Sequence, residues 1–330
     1  MHTSEEVDSG GVGGKHAVKL FTRFDPKTVE HILREEYILG RIATATNQSP
    51  FIITYFEFME LRGYPAFLLS SGCGIDLFDL SVKCGGMTEE QAKFYVCELI
   101  CGLEHLHSLG IVHCDIKPEI ILLYHTGHIM IADFDFAMDQ SVRGDPNYRN
   151  YAGGTPGYVA SEILKRMTCT KKSDVWSMAA VIGDLVSVRM LRVTRVQLGN
   201  TKSGEWYKPF LANLTNPFQL FFTRCFRKDY RLRPAICEVK QLKFFEDVDW
   251  QMVENLKLTP PFHFLHEENS PQQLGNINDD SIVGGPRAPS EVDNDIVASR
   301  PKSHESISFH SDEDSILSRS PSLEFNKHCE

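Results

Sequence analysis

The stretch Val112-His113-Cys114-Asp115-Ile116-Lys117-Pro118-Glu119-Ile120 decides the reading of this chain. It sets a carboxylate and an ammonium two residues apart, Asp115 and Lys117, with a proline and a second acid directly behind them. Downstream follow Ile131-Ala132-Asp133-Phe134-Asp135-Phe136-Ala137, then Gly154-Thr155-Pro156-Gly157-Tyr158-Val159-Ala160-Ser161-Glu162, then Ser173-Asp174-Val175-Trp176-Ser177. Upstream, Ala17-Val18-Lys19 closes a short apolar run, and Glu35 lies on an expected helix. One such segment carries little weight. Together, in this order and at this spacing, they do not arise by chance.

Bulk properties narrow the class. The 330 residues carry a net charge of −10, which argues against a general nucleic-acid binder. No N-terminal apolar run looks like a signal peptide, and no run is long enough to span a membrane. Nine cysteines, an odd number, are scattered without paired CxxC spacing. That is the pattern of reduced thiols in the cytosol or nucleus, not of a disulfide frame or a zinc site. Cys97 and Cys101 stand four apart on an expected helix, and without His or Cys partners nearby they read as small buried residues.

The motifs resemble those of the eukaryotic protein kinase family. Residues 112–120 are similar to the catalytic loop His-Arg-Asp-x-Lys-Pro-Glu-Asn, whose Asp orients the acceptor hydroxyl and whose final Asn holds a magnesium ion. Residues 131–137 resemble the Asp-Phe-Gly segment, residues 154–162 the docking loop that closes in Ala-Pro-Glu, and residues 173–177 the start of the long central helix of the large lobe. The resemblance implies an α+β, two-lobed fold: a small antiparallel-sheet lobe with one helix, a larger mainly helical lobe, and a cleft between them. It covers roughly residues 5–262.

The resemblance also implies a site. Lys19 pairs with Glu35 and with the phosphates of ATP; Asp133 holds Mg2+; Asp115 is the catalytic base. Ala17, Leu69 and Leu122 match positions lining the adenine pocket, though each reads equally well as plain core. Lys117, two residues after the catalytic Asp, resembles the Ser/Thr kinases, where it neutralises charge on the transferring phosphoryl group; Thr155 supports the same choice. Asp76 and Glu119 match acidic positions that contact ribose or a basic peptide, and helix capping or simple surface charge is as good a reading of them. Glu162, Asp174 and Arg233 are structural, with Glu162 expected to pair with Arg233. The partners implied are ATP and a protein or peptide substrate, with basic character resting on Asp76 and Glu119 alone.

Several positions depart from the family pattern. Cys114 replaces the Arg that binds a phosphorylated activation loop, and Tyr151 stands where related kinases carry the phosphorylated residue. Ser161 replaces the Pro of Ala-Pro-Glu. Asp135 replaces Gly, which costs backbone freedom beside the metal site. Ile120 replaces the metal-binding Asn and offers no oxygen to a hard cation, so one Mg2+ at most is expected. The Gly10-Gly11-Val12-Gly13-Gly14 cluster is too close to Lys19 to be the phosphate-covering loop and reads as a hairpin turn. Met1 leaves no room for the strand and loop that would precede it, so the chain is either truncated or lacks the phosphate lid. Without its first strand, the small sheet should carry an unpaired edge.

Along the chain, residues 1–72 read as the small lobe. A helix is expected from 25 to 39, opened by Asp25-Pro26, followed by strands at 51–58 and 64–70. Residues 73–245 read as the large lobe, with a helix over 88–109 from its apolar spacing and a strand at 130–134. Residues 246–266 resemble the C-terminal extension of the cyclic-nucleotide-dependent and related (AGC) kinases, which wraps back over the small lobe; the aromatic Phe-x-x-Phe motif of that group is missing. Residues 267–330, rich in Ser, Pro, Asp and Asn, cannot bury enough surface to order. Ser311 and Ser320 make them a phosphorylation tail or simply a solvated one. Two functions stay open: an ATP-dependent Ser/Thr protein kinase, or a pseudokinase that binds and regulates a protein partner.

Overall fold

A computed structural model describes residues 2–7, 16–142, 154–165, 169–187 and 211–264. The glycine cluster, Tyr151, Ser311, Ser320 and the tail lie outside the described residues.

The small lobe is a four-stranded antiparallel sheet in the order β1-β2-β4-β3, made by β1 (His2–Val7), β2 (His16–Phe21), β3 (Tyr55–Leu61) and β4 (Tyr64–Ser70). Register sets Ala17 opposite Leu69 and Lys19 opposite Phe67. Since side chains alternate along a strand, Ala17 and Lys19 share one face with their partners. The β3–β4 hairpin turns through Arg62 and Gly63, both with positive φ (55° and 81°), as a two-residue turn matched to strand twist requires.

One helix, α1 (Pro26–Ala43), lies against this sheet. Asp25 caps it by accepting from the Thr28 N–H at 3.1 Å, and Pro26 occupies the first turn, where a missing N–H costs nothing. The helix runs four residues past the expected end because Ile42 continues the buried stripe of Ile32, Glu35, Ile38 and Leu39.

The expected strand at 51–58 is corrected: β3 begins at Tyr55. Phe51, Ile52 and Ile53 are buried but pair with the large lobe instead. The Ile131 N–H donates to the Phe51 carbonyl at 2.8 Å, and the Ile53 N–H donates to the Ile131 carbonyl at 2.9 Å. An apolar run with strand-like composition was thus claimed by a tertiary partner.

The large lobe is built on α2 (Leu77–Cys84), α3 (Glu89–Ser108), α4 (Ser161–Leu164), α5 (Lys171–Val186), α6 (Asn216–Cys225) and α7 (Ile236–Val239). Thr88 and Gln91 form a capping box at the start of α3. Two small ladders face the cleft side: β5 (Ile111–Val112) with β8 (Met138–Asp139), and β6 (Ile121–Leu123) with β7 (Ile129–Ile131). The strand expected at 130–134 is therefore shorter and shifted, ending before Asp133. Core α5 is buried all round, which is why its apolar residues show no single stripe.

Beyond Phe245, residues 247–264 run along the large lobe. Lys93 of α3 pairs with Asp247 at 2.5 Å, Lys240 with Glu254 of α8 (Trp250–Glu254), and the Phe264 N–H donates to the His125 carbonyl. Gly127 makes this docking possible: a Cβ there would collide with the Phe262 carbonyl and the Pro260 ring. The AGC resemblance implies a course over the small lobe; the bonds to Lys93, Lys240 and His125 tie residues 247–264 to the large lobe instead, and residues 265–266 lie outside the described residues. Among the described residues, no helix is long and apolar enough to cross a membrane.

Candidate active site

The sheet and α1 bring Lys19 and Glu35 together across 16 residues of chain. Lys19 Nζ donates to Glu35 Oε1 at 2.7 Å and Oε2 at 2.8 Å, and to Asp133 Oδ1 at 2.7 Å. Burial alone would lower the Lys19 pKa, but the carboxylates of Asp133, Glu35 and Asp135 outweigh it and hold the ammonium charged. Burial pushes Glu35 up to about 7 against the pull of Lys19, with Asp133 adding to the rise. The Phe134 N–H also donates to Glu35 at 3.3 Å, and the Phe134 ring is fully buried against His113. This fixes Asp133 on the cleft side of the chain.

Asp135 sits differently from expectation. The left-handed backbone of this segment belongs to Asp133 (φ 63°), not to Asp135, so replacing Gly by Asp at 135 carries no left-handed strain. Its side chain is buried, with Oδ2 3.3 Å from His31 Nδ1 and its carbonyl accepting from Arg34 at 3.4 Å. Burial, then Asp133, raises its pKa, with His31 opposing. His31 lies one turn before Glu35 on α1, so the Asp135 contact braces the same helix face that presents Glu35 to Lys19. Sequence reading missed His31; its i,i+4 placement before Glu35 was the available signal.

A second constellation forms below. Asp115 Oδ1 accepts from the Thr155 N–H and from the Thr155 hydroxyl, each at 2.8 Å; Oδ2 accepts from Lys117 Nζ at 2.8 Å, and Lys117 also donates to Thr155 at 3.0 Å. Burial would lower the Lys117 pKa, but Asp115 reverses this and raises it. The loop carrying Asp115 is held from behind by Asp174 of α5, which is fully buried. Asp174 accepts from the His113 N–H and the Cys114 N–H, both at 2.9 Å, and pairs with His107 at 2.8 Å. Cys114 has φ 68°, a conformation rare for a side-chain-bearing residue, and the Asp174 bonds hold it there.

The remaining positions divide. Ala17 and Leu69 meet across β2 and β4. Leu122 lies on β6, bridged to Asp76. Asp76 caps α2, accepting from the Asp79 N–H at 2.8 Å, so one of its oxygens has a structural use. Glu119 is half-buried in the 3-10 turn Pro118–Ile120 and adds negative potential at Lys117. Glu162 and Arg233 pair through both oxygens, at 2.6 and 2.5 Å, with Ser173 donating to Glu162 at 2.9 Å.

The donor set for Mg2+ is small. Ile120 is 4% exposed and packs in the core, and among the described residues no cluster of three His, Cys, Asp or Glu side chains forms a metal cage. Mg2+ needs only one or two carboxylates when phosphates and water complete its shell. Asp133, a quarter exposed beside Lys19, fits that demand.

Comparison with known proteins agrees with this geometry. The protein kinase domain family matches residues 11–245. A probable serine/threonine-protein kinase of Dictyostelium discoideum is 30% identical over 264 residues, 78% of this chain and 56% of that protein. Ribosomal protein S6 kinase alpha-1 of Mus musculus is 30% identical over 256 residues, 76% of this chain and 33% of that one. A cAMP-dependent protein kinase catalytic subunit-like protein of Caenorhabditis elegans is 28% identical over 293 residues, 83% and 68%. The chain thus spans about half of the first relative's length and a third of the second's. The lysine–glutamate pair reaching Asp133, the Asp115–Lys117–Thr155 triangle and a family match over most of the chain lead to one assignment: the chain belongs to the eukaryotic protein kinase family, of the serine/threonine type close to the AGC group.

Proposed function

We propose that the chain transfers the γ-phosphoryl group of ATP to a serine or threonine hydroxyl of a protein. The carrying observation is the Asp115–Lys117–Thr155 triangle. Asp115 Oδ1 already accepts a hydroxyl, that of Thr155, so a substrate hydroxyl taking that bond is oriented and can pass its proton to the carboxylate. Lys117, held charged by Asp115, stabilises the negative charge on the transferring group. Lys19, braced by Glu35, binds the phosphates, and the Ala17–Leu69 face and Leu122 line the adenine pocket. Mg2+, when bound, supplies charge neutralisation at the phosphates; Asp133 would hold one ion, and the aliphatic Ile120 would leave a second without its ligand. A preference for basic peptides rests on the negative charge of Glu119 and Asp76.

A second reading has one observation in its favour, the burial of Ile120 where the family has a ligand. In it the chain binds nucleotide and regulates a protein partner without transferring phosphate. The free thiols of all eight described cysteines suit a reducing compartment, cytoplasm or nucleus.

Transfer of labelled γ-phosphate from Mg-ATP to an Arg-containing Ser/Thr peptide tests the first reading, with Asp133→Ala protein in parallel to expose contaminating kinases. Transfer above that control is expected. Transfer equal to it would move the assignment to the second reading. Glu119→Ala, Asp76→Ala protein should lose any preference for upstream Arg; an unchanged peptide profile removes the basic-substrate idea.

A further inference from the structure

One pair of nucleophiles takes no part in the chemistry above. Cys114 and Cys169 come from segments 55 residues apart, yet Cys169 Sγ lies 2.9 Å from Cys114 Sγ. Both residues are buried, 3% and 1% exposed. Each is fixed on the same element. The Cys114 N–H is held by Asp174 of α5, and Cys169 immediately precedes Thr170, the N-cap position of α5, with its carbonyl accepting from Gln140 at 3.4 Å. The contact is therefore set by backbone anchors on both sides, not by a chance rotamer of one side chain.

We propose that Cys114 and Cys169 form a reversible disulfide when the chain meets a peroxide, tying the catalytic loop to the start of α5. One sulfur attacks the O–O bond of hydrogen peroxide, becomes a sulfenic acid and releases one water. The second sulfur then displaces the sulfenic oxygen, which leaves with the remaining protons as a second water. Two thiols lose two electrons, one peroxide gains them, and a dithiol reductant reverses the step. Sulfurs already in contact make the second step intramolecular, which favours this pair over any other. Burial raises the Cys114 pKa and slows the first attack, so the pair stays reduced until peroxide accumulates. The bridge joins residues 55 apart in sequence, and restricting the unfolded chain in this way stabilises the fold.

The test is a disulfide map of the full chain. Purified protein is treated with hydrogen peroxide, its remaining thiols are alkylated, and it is digested without reductant and analysed by mass. The expected product is a peptide joining Cys114 to Cys169, two hydrogens lighter than the sum of its parts and released by dithiothreitol. Thermal unfolding of the oxidised protein should shift upward by several degrees, and Cys114→Ser and Cys169→Ser proteins should show neither change. The wild-type map stands by itself if either variant folds poorly. Free Cys114 and Cys169 at peroxide doses far beyond the one that fully oxidises the exposed Cys237 would overturn the proposal, as would a bridge joining either one to another cysteine. The mass readout does not depend on phosphate transfer, so it can succeed or fail independently of the kinase reading.

Discussion

Glu162–Arg233 and Lys19–Glu35–Asp133 are both ion clusters built on a buried glutamate, and they differ in balance. At the first, one carboxylate meets one guanidinium through two bonds, and the remaining donors of Arg233 reach the Arg227 and Lys172 carbonyls while its plane stacks on Trp176. At the second, Glu35, Asp133 and Asp135 crowd around Lys19, and His31 meets Asp135 from the far side. A neutral, fully bonded cluster gains nothing from another ion and serves to brace the large lobe. A cluster with surplus negative charge pushes carboxylate pKa values up and is relieved by a cation. The difference separates a joint from a receptor.

Arg233→Ala should have the largest effect on stability. It strands a buried carboxylate at Glu162, and unfolding in urea should show a loss of about 3–5 kcal/mol. A loss below about 1 kcal/mol would mean that Glu162 escapes to water and that the brace is not one.

Asp133→Asn should do the opposite. Relief of repulsion with Glu35 and Asp135 offsets the lost bond to Lys19, so unfolding should stay within about 1 kcal/mol of wild type. The Mg2+ dependence of ATP binding, followed by calorimetry, should disappear. Strong destabilisation would show that the cleft is a brace after all.

Burial of Glu35, with the neighbouring acids adding to it, also sets a pH dependence. Glu35, raised to about 7 from an ordinary 4.5, binds its proton in the folded chain before the unfolded chain does. Stability should therefore rise as pH falls from about 7 towards 4.5, and Glu35→Gln should flatten that slope. Urea midpoints across the window, for both proteins, measure it; parallel slopes would refute the assignment to Glu35.

An effect well below that at Arg233 is expected at His31→Ala, a loss of about 0.5–1.5 kcal/mol from the Asp135 contact. The double change with Asp135→Gly should recover part of it, because the carboxylate is then no longer left buried without its partner. A double-mutant cycle with no coupling would remove His31 from the cluster.

Short-range chemistry carried much of this into the sequence. Asp25-Pro26 marked a helix start because caps act within one turn, apolar spacing marked the helix over 88–109, and the catalytic motifs named the lysine, the glutamate and the acids. What stayed hidden depends on partners far along the chain. Phe51, Ile52 and Ile53 read as strand because periodicity cannot say which neighbour takes the backbone bonds. His31 and Asp135 are 104 residues apart, and Cys114 and Cys169 are 55 apart. Strain was assigned to Asp135 from residue type, whereas the φ angles place it at Asp133.

The backbone pairing of residues 51–53 with Ile131 has a mechanical consequence. The covalent linker after Ser70 is pinned to the large lobe as well, by the Cys73 N–H on the Leu123 carbonyl at 2.7 Å. With both attachment points in place, twisting or sliding of the sheet across the cleft would have to break one, and α1 adds ties of its own, Tyr37 donating to Asp139 at 3.0 Å and Arg41 to the Leu109 carbonyl at 3.1 Å. Displacement across the cleft is thereby resisted at each of these points, and Lys19 is kept facing Asp133.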